Sequence, residues 1–312
     1  RVDGHMLVIP KTLAVNAALD ATEATLERIG ASYPGTRDRE QITRLMHVEL
    51  QPWLVRSFLA ERCLRRATGT VGSPDTLSHI LVGRPSGDGR LGELLDTWFL
   101  DRPTMHAFRN EKRALADAII GDITQRRGRR VLVVNAGTGS LLARLVQGLD
   151  DIATTFTVLD PSKESLGYFD LSDLPKTISI AAIRHEITAL ANGRLHSHLP
   201  LQDVIVLDDL ICYLPDRLAM TLFRTVAAVL APEGRLYATS LTDSRDHHLL
   251  DLLLGWPTVR REPDATVRLA RAVGLHGEAV RVSDAPTALI RLAGSAATDT
   301  AEAIVARAPS LF

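Results

Sequence analysis

Residues 131–142, VLVVNAGTGSLL, place four consecutive apolar residues before an Asn-Ala-Gly-Thr-Gly turn that opens directly into a helical apolar pattern, Leu141, Leu142, Leu145 and Val146. An apolar run this short, closed by glycines, is the pattern of a buried strand. Glycine supplies the left-handed backbone that a tight strand-to-helix turn requires. The helix that follows leaves its first-turn N–H groups without intrahelical partners, facing whatever the turn approaches. Strand, turn and helix in this order belong to an α/β sheet.

The segments that follow repeat the pattern. Residues 155–159 (TFTVL) form a second short apolar strand ending in Asp160, 21 residues beyond Gly139. A third strand over 178–183 ends in Arg184-His185-Glu186, and a fourth over 204–207 ends in Asp208-Asp209. In open α/β sheets the carboxyl ends of neighbouring strands border one crevice, where an acid can accept both hydroxyls of a ribose. Each acid alone reads equally well as a solvated strand end or helix cap. Taken together in this order, they favour a nucleotide-type cofactor site. The pyrophosphate-binding G-x-G-x-x-G is incomplete, because its third glycine would fall near Leu142.

This order and spacing resemble the class I methyltransferases that use S-adenosylmethionine (SAM), over roughly residues 128–294. The resemblance implies a Rossmann-like, seven-stranded, mostly parallel sheet, preceded here by an N-terminal helical segment. It assigns Asn135, Gly137 and Gly139 to the methionine portion of SAM, Asp160 to the ribose, and His185 or Glu186 to the adenine. The stretch DVIVLDDL at 203–210, a helix over 216–230, the turn Pro232-Glu233-Gly234 and a strand over 235–240 are similar to the family's fourth and fifth strands. Where the family usually carries Glu or Asp, this chain has Asn135. An amide can hydrogen-bond the SAM ammonium but does not stabilise its charge as a carboxylate would.

A narrower resemblance lies in residues 91–119, LGELLDTWFLDRPTMHAFRNEKRALADAI, and in residues 253–275. Bacterial proteins grouped with the 3-hydroxypalmitic acid methyl ester biosynthesis methyltransferases carry a similar helix pair with an Arg-Asn-x-x-Arg stretch. The chain departs from them at residues 68–74, TGTVGSP, where a Gly-Tyr-Ala-Gly-Asp-like sequence would stand. Arg109 and Arg113 lie four apart on one helix face, so the pair can hold a carboxylate of SAM or of a substrate, or can pair with Glu111 or Asp117 at the surface.

The 312 residues are 46% hydrophobic and 23% charged, enough for a full core and an accessory segment. A net charge of -1 offers no field for nucleic acid, and the short Arg clusters read as solvated helix ends. Two separated cysteines, Cys63 and Cys212, suggest neither a disulfide framework nor a zinc site. His196-x-His198 and His247-His248 lack further ligands at a recognisable spacing, so no metal is expected. No membrane span or signal peptide is legible, and a cytoplasmic protein is expected. The opening RVDGHM reads as an appended segment before a natural start near Met6.

The expected organisation is an N-terminal helical segment over 1–127 and a SAM-binding domain over 128–312. Helices are expected over 11–30, 38–67 (interrupted at Pro52-Trp53), 91–100 and 103–124. Residues 68–90, rich in Gly, Pro, Ser and Asp, read as a long loop serving as a lid or connector.

Methyl transfer from a sulfonium is an in-line displacement, so the protein must mainly position the nucleophile and, where it carries a proton, provide a base. Asp208 and Asp209 stand where relatives keep polar residues beside the transferred methyl. Thr242, Asp243 and His247 are further candidates near the strand ends. Tyr213 can shape the substrate mouth or lay its ring against the sulfonium; Tyr168 and Trp98 are alternatives for that contact. The catalytic candidates are therefore Asn135, Asp208, Tyr213 and Tyr168, with a small-molecule acceptor as partner and a homodimer allowed.

The same neighbourhood also resembles the azetidine-2-carboxylic acid synthases, which cyclise SAM itself and release methylthioadenosine. There the SAM amine attacks its own γ-carbon and must be neutral, a requirement that Asn135 in place of an acid would serve. A third reading is a non-catalytic binding protein of the same fold, with its N-terminal helices as a dimerisation surface. The retained Gly-x-Gly and Asp160 argue against it.

Overall fold

The computed structural model describes residues 8–65, 72–126, 130–167, 174–187, 190, 199–282 and 285–294. The chain divides into two compact units. One comprises Arg1–Asn110, Asp243–Thr258 and Ser283–Pro286, and the other Glu111–Thr242, Val259–Val282 and Thr287–Phe312. The division falls between Asn110 and Glu111, inside a helix, where the sequence placed it at residue 127.

The second unit is built on a seven-stranded sheet of β1 (Arg130–Val134), β2 (Thr154–Asp160), β3 (Ile178–Arg184), β4 (Gln202–Leu207), β5 (Leu230–Leu241), β6 (Leu275–Arg281) and β7 (Thr287–Gly294). The spatial order is β3-β2-β1-β4-β5-β7-β6. Pairing is parallel from β3 through β5, and β7 runs antiparallel between β5 and β6. This is the expected Rossmann-like, seven-stranded, mostly parallel sheet. Every strand expected from the pattern is present.

Strand alternation distributes the core to two faces. Val131 and Val133 of β1, with Phe156, Val158, Val204 and Val206, pack against Leu115, Ile119 and Ile123 of α6 (Pro103–Arg126) and Leu141, Leu142 and Leu145 of α7 (Ser140–Gly148). Leu132 and Val134, with Leu159, Ile205 and Leu207, face Leu222, Phe223 and Val226 of helix α9 (Asp216–Ala228) and Val267 and Ala270 of α10 (Pro263–Arg271). A short helix, α8 (Lys163–Gly167), follows β2. The turn expected at 232–234 appears as a bulge inside β5. Gln202 pairs with Leu230 but Val204 already pairs with Arg235, and Glu233 takes a left-handed φ of 62°.

The first unit holds α1 (Val8–Ser32), α2 (Thr36–Leu54), α3 (Phe58–Arg65), α4 (Pro74–Val82), α5 (Gly89–Leu100) and the start of α6. Pro52 lies within α2, whose last turn it enters; the helix ends two residues later and α3 begins after a break at Val55 to Ser57. The long loop expected over 68–90 is corrected by α4. Ser73 caps its N-terminus, Pro74 occupies the first turn, and Gly83 closes it with φ 65°. Asp96 organises this unit from complete burial. Its carboxylate accepts from Ser57 Oγ (2.7 Å), Leu59 N (2.8 Å), His79 Nε2 (2.7 Å) and Ser86 N (2.9 Å). A π-helical turn, Leu249–Leu253, belongs to the same unit, tied by Arg39 to Asp251 (2.5 Å) and by His47 to the Leu253 carbonyl (3.0 Å). Among the described residues no helix is long and apolar enough to cross a membrane.

Candidate functional site

β1 pairs with β2 on one side and β4 on the other, so the chain leaves the sheet in opposite directions on either side of it. A crevice opens beyond the carboxyl ends of strands at such a reversal. The β1 exit enters it through three left-handed residues: Asn135 (φ 68°), Gly137 (φ 56°) and Gly139 (φ 72°). Gly139 then serves as the N-cap of α7. Glycine meets this requirement without steric cost, whereas Asn is one of the few other residues that tolerate it.

Asp160, at the end of β2, is 1% exposed. Its Oδ2 accepts from Gly137 N at 3.2 Å and its Oδ1 from Ser162 N at 2.8 Å. The carboxylate thus braces the β1 turn. His185 and Glu186 are exposed just beyond β3, and the His185 N–H donates to the Asp160 carbonyl at 3.3 Å. Asn135, Gly137, Gly139, Asp160, His185 and Glu186 are therefore brought to one edge of the sheet, as the sequence suggested.

The β4 exit holds a buried charge cluster that the sequence reading only half contained. Asp208 and Asp209 are each 3% exposed, and Lys112 of α6 reaches both, with Nζ 2.5 Å from Asp208 Oδ1 and also bonded to Asp209 Oδ2. Glu111, equally buried, accepts from Thr287 Oγ1 at 2.9 Å. Burial, and then the adjacent Asp209 carboxylate, push Glu111 well above the usual carboxylate range. Both effects favour its neutral form. Burial opposes ionisation of Asp209, but Lys112 and the Glu111 hydrogen bond prevail and hold it low. For Asp208 burial dominates, Lys112 opposes it, and Asp209 adds to the rise, so its carboxyl is pushed up to about 7. Burial disfavours the Lys112 ammonium, yet the surrounding carboxylates keep it charged, with its pKa above the ordinary value.

A single bond joins the two strand exits. Asn135 Nδ2 donates to the Asp208 carbonyl at 2.8 Å. One amide N–H is thereby committed to the protein, leaving Oδ1 and the second N–H of Asn135 for a ligand.

Tyr213 closes a 3-10 turn, Ile211–Tyr213, after this corner and is half-buried. Arg261 holds the turn from outside, donating to the Ile211 carbonyl (3.0 Å), the Leu214 carbonyl (2.5 Å) and Asp216 Oδ1 (2.9 Å). Thr242, just after β5, is buried, and its hydroxyl has no hydrogen-bond partner among the described residues. Tyr168, His196 and His198 lie outside the described residues.

Three expectations need correction. Arg109 does not present an open fork to a carboxylate. Its guanidinium donates to the carbonyls of Ile80 (3.2 Å) and Leu100 (2.8 Å) and meets His106 Nδ1 (3.1 Å), tying helix ends within the first unit. Arg113 is exposed, and the surface pairing with Glu111 does not form because Glu111 is buried. Trp98 is not available to a sulfonium: its indole N–H donates to Asp20 (2.8 Å) and Arg102 already covers its ring at 4.0 Å. Asp243 is exposed and meets His247 (3.3 Å), which stacks on His248 at 4.9 Å. Among the described residues no three His, Cys, Asp or Glu side chains group as metal ligands.

Lys112 and Glu111 were missed because an adjacent Glu-Lys in a helix ordinarily reads as solvated. The available signal was spacing: Lys112 stands on the apolar stripe of Phe108, Leu115, Ala116 and Ile119. Arg261 left no comparable mark.

No protein-family model and no curated protein matches this sequence. Solved structures that resemble it include an O-methyltransferase family protein from Burkholderia thailandensis, at 15% identity and TM-score 0.45, covering 62% of this chain and 61% of that one. Magnesium protoporphyrin IX methyltransferase from Synechocystis PCC 6803, solved with bound SAH, aligns at 12% identity and TM-score 0.47, over 60% of this chain and 84% of that one. Human N-acetylserotonin methyltransferase, in complex with SAM, aligns at 13% identity and TM-score 0.46, over 61% and 53%. The match thus spans less than two thirds of the Burkholderia and human chains. The fold assignment rests on the strand order itself: a seven-stranded Rossmann-like sheet with its seventh strand reversed.

Proposed function

We propose that this chain is a SAM-dependent methyltransferase acting on a small-molecule acceptor. The observation that carries the reading is the pair of strand exits at the sheet's reversal point, β1 and β4, joined by Asn135 and Asp208 and flanked by Asp160. Left-handed backbone at Gly137 and Gly139 lets a ligand approach the main chain closely, and Asp160 keeps acceptor positions suited to ribose hydroxyls. At the β4 exit Asp208 and Asp209 stand against one ammonium, so once Asp208 is ionised the cluster carries a net negative charge that suits a cation. The residues fit SAM in these three respects.

SAM, when bound, supplies an electrophilic methyl on a sulfonium. The protein's tasks are then to orient and to accept a proton. Asp208, with its carboxyl pushed up to about 7, is matched to taking a proton from an acceptor hydroxyl near neutral pH. Tyr213 shapes the acceptor mouth, and Tyr168 is a second aromatic for that role. His185 and Glu186 are assigned to the adenine. Of the two arginines, Arg113 is the one left for a ligand carboxylate.

Cyclisation of SAM to azetidine-2-carboxylic acid is the second reading, favoured by the neutral Asn135 side chain with its N–H held by Asp208. Incubating the pure protein with SAM alone and analysing products by mass spectrometry separates the two. Methyl transfer predicts no turnover until an acceptor is supplied, then S-adenosylhomocysteine. Methylthioadenosine with a product of azetidine-carboxylate mass would replace it with cyclisation. Failure to bind SAM by calorimetry would return the chain to a binding role.

A further inference from the structure

Asp208 and Asp209 are consecutive at the end of a strand, and consecutive side chains on an extended backbone point to opposite faces. Here both carboxylates meet one ammonium, that of Lys112. The left-handed backbone at Asp209 (φ 49°) makes this convergence possible, a conformation that few residues with a Cβ adopt, Asp and Asn among them. A second left-handed residue, Asn135, stands on the neighbouring strand exit, and its amide is held by the Asp208 carbonyl. Strained backbone of this kind persists where surrounding contacts over-determine it. Lys112 is the contact that reaches both carboxylates, from 5% exposure on a helix that belongs to neither strand exit.

We propose that Lys112 is the positioning residue of this site: by drawing both carboxylates of the β4 exit onto one ammonium, it fixes the Asp208 carbonyl and, through it, the Asn135 amide at the β1 exit. The assignment of that crevice to SAM rests on the function proposed above; the linkage from Lys112 to Asn135 does not.

The linkage is sensitive to pH. The ionisable groups of the cluster around Asp208 are Lys112 and Glu111 from α6 and Asp209 from its own corner, with Cys212 of the 3-10 turn against Asp209. Burial, together with the Asp209 carboxylate, pushes the Cys212 thiol well above its ordinary value. Burial favours the neutral form of Glu111 and the carboxylates favour the charged form of Lys112, which leaves Asp208, with its carboxyl pushed up to about 7, as the group whose charge changes nearest neutrality. As pH falls below that value, Asp208 loses its charge, its hold on Lys112 weakens, and the Asn135 amide is released.

The test follows the Asn135 side-chain amide resonances of the full chain by NMR between pH 6 and 8, with S-adenosylhomocysteine affinity measured in parallel by calorimetry. The wild-type amide should titrate with a midpoint near 7, and affinity should fall on the acid side. Asp208→Asn keeps the carbonyl and removes the titrating group, so the amide response should flatten. Lys112→Met should raise the midpoint by about one unit and weaken S-adenosylhomocysteine about tenfold at pH 7, with Lys112→Arg recovering most of the loss. A folded Lys112→Met with the wild-type midpoint and affinity overturns the proposal. So does an Asp208→Asn protein whose amide still titrates, which decides the matter if Lys112→Met does not fold. If wild-type protein binds no S-adenosylhomocysteine, the SAM assignment fails, and the amide titration still decides the linkage.

Discussion

The Asp160 carboxylate accepts the Gly137 N–H at 3.2 Å, so the acid at the end of β2 and the glycine turn after β1 are one mechanical unit before any ligand arrives. Removing it takes away ligand acceptors and turn bracing together. Asp160→Ala should weaken SAM or S-adenosylhomocysteine binding by about 1.5 to 3 kcal/mol, the range for hydrogen bonds to a charged group. Calorimetry reads this directly. Unchanged affinity would remove Asp160 from the site.

Asn135→Asp replaces an amide that donates to the Asp208 carbonyl with a group that cannot. The lost bond costs about 0.5 to 1.5 kcal/mol, while the new charge attracts a ligand ammonium. SAM should stay bound. Any methylthioadenosine formed from SAM alone should fall, because a carboxylate beside the amine holds its proton. Single-turnover product analysis at matched SAM occupancy is the check, and an unaffected rate defeats the argument from amine charge.

Glu111 is held neutral by burial first and by Asp209 second, with its folded pKa above that of the unfolded chain. Such a group contributes its full stability below the unfolded pKa, near 4.5, and loses it as pH rises towards the folded value. Glu111→Gln is neutral at every pH and escapes this loss. The melting temperature of the variant relative to wild type should therefore rise steadily between pH 5 and 8. A difference that stays flat across that range would show Glu111 to be ionised in the folded protein.

Asp96 shows the opposite sign. Burial raises its pKa, but hydrogen bonds from His79, Leu59 N, Ser57 and Ser86 N outweigh it, and the folded value lies below 3.8. Its stabilisation is present above the unfolded pKa and disappears as pH falls through the folded one. Asp96→Asn should destabilise the helical unit at neutral pH, and the gap to wild type should narrow below about pH 4. Urea melts at pH 7 and pH 3 measure both; an equal gap at the two values would exclude the carboxylate charge as the cause.

The sheet was legible because its signals are local. Apolar runs of four to seven residues, glycines at left-handed positions and acids at strand ends each report on their own neighbourhood, and β1 to β5 follow them. Helix α4 was hidden by composition. A segment dense in Gly, Pro and Ser reads as loop, yet Ser73, Pro74 and Gly83 are cap residues around an apolar core of Leu77 and Ile80. The β4 cluster was illegible for a different reason. Lys112, Asp208 and Thr287 are far apart in sequence, and only the tertiary fold decides that a lysine on an apolar stripe meets two carboxylates rather than water. Arg109 was misread on the same account, since its spacing from Arg113 says nothing of the carbonyls of Ile80 and Leu100 that it serves.

The reversed strand β7 is inserted between β5 and β6 although it is the last of the three to be synthesised. Until it emerges from the ribosome, β5 has an open edge and β6 has no strand to pair with, and such edges recruit other chains. Completion of the sheet is thus postponed until Thr287–Gly294 has been synthesised. A nascent or prematurely terminated chain lacking this one segment should be a client for chaperones rather than a smaller working protein.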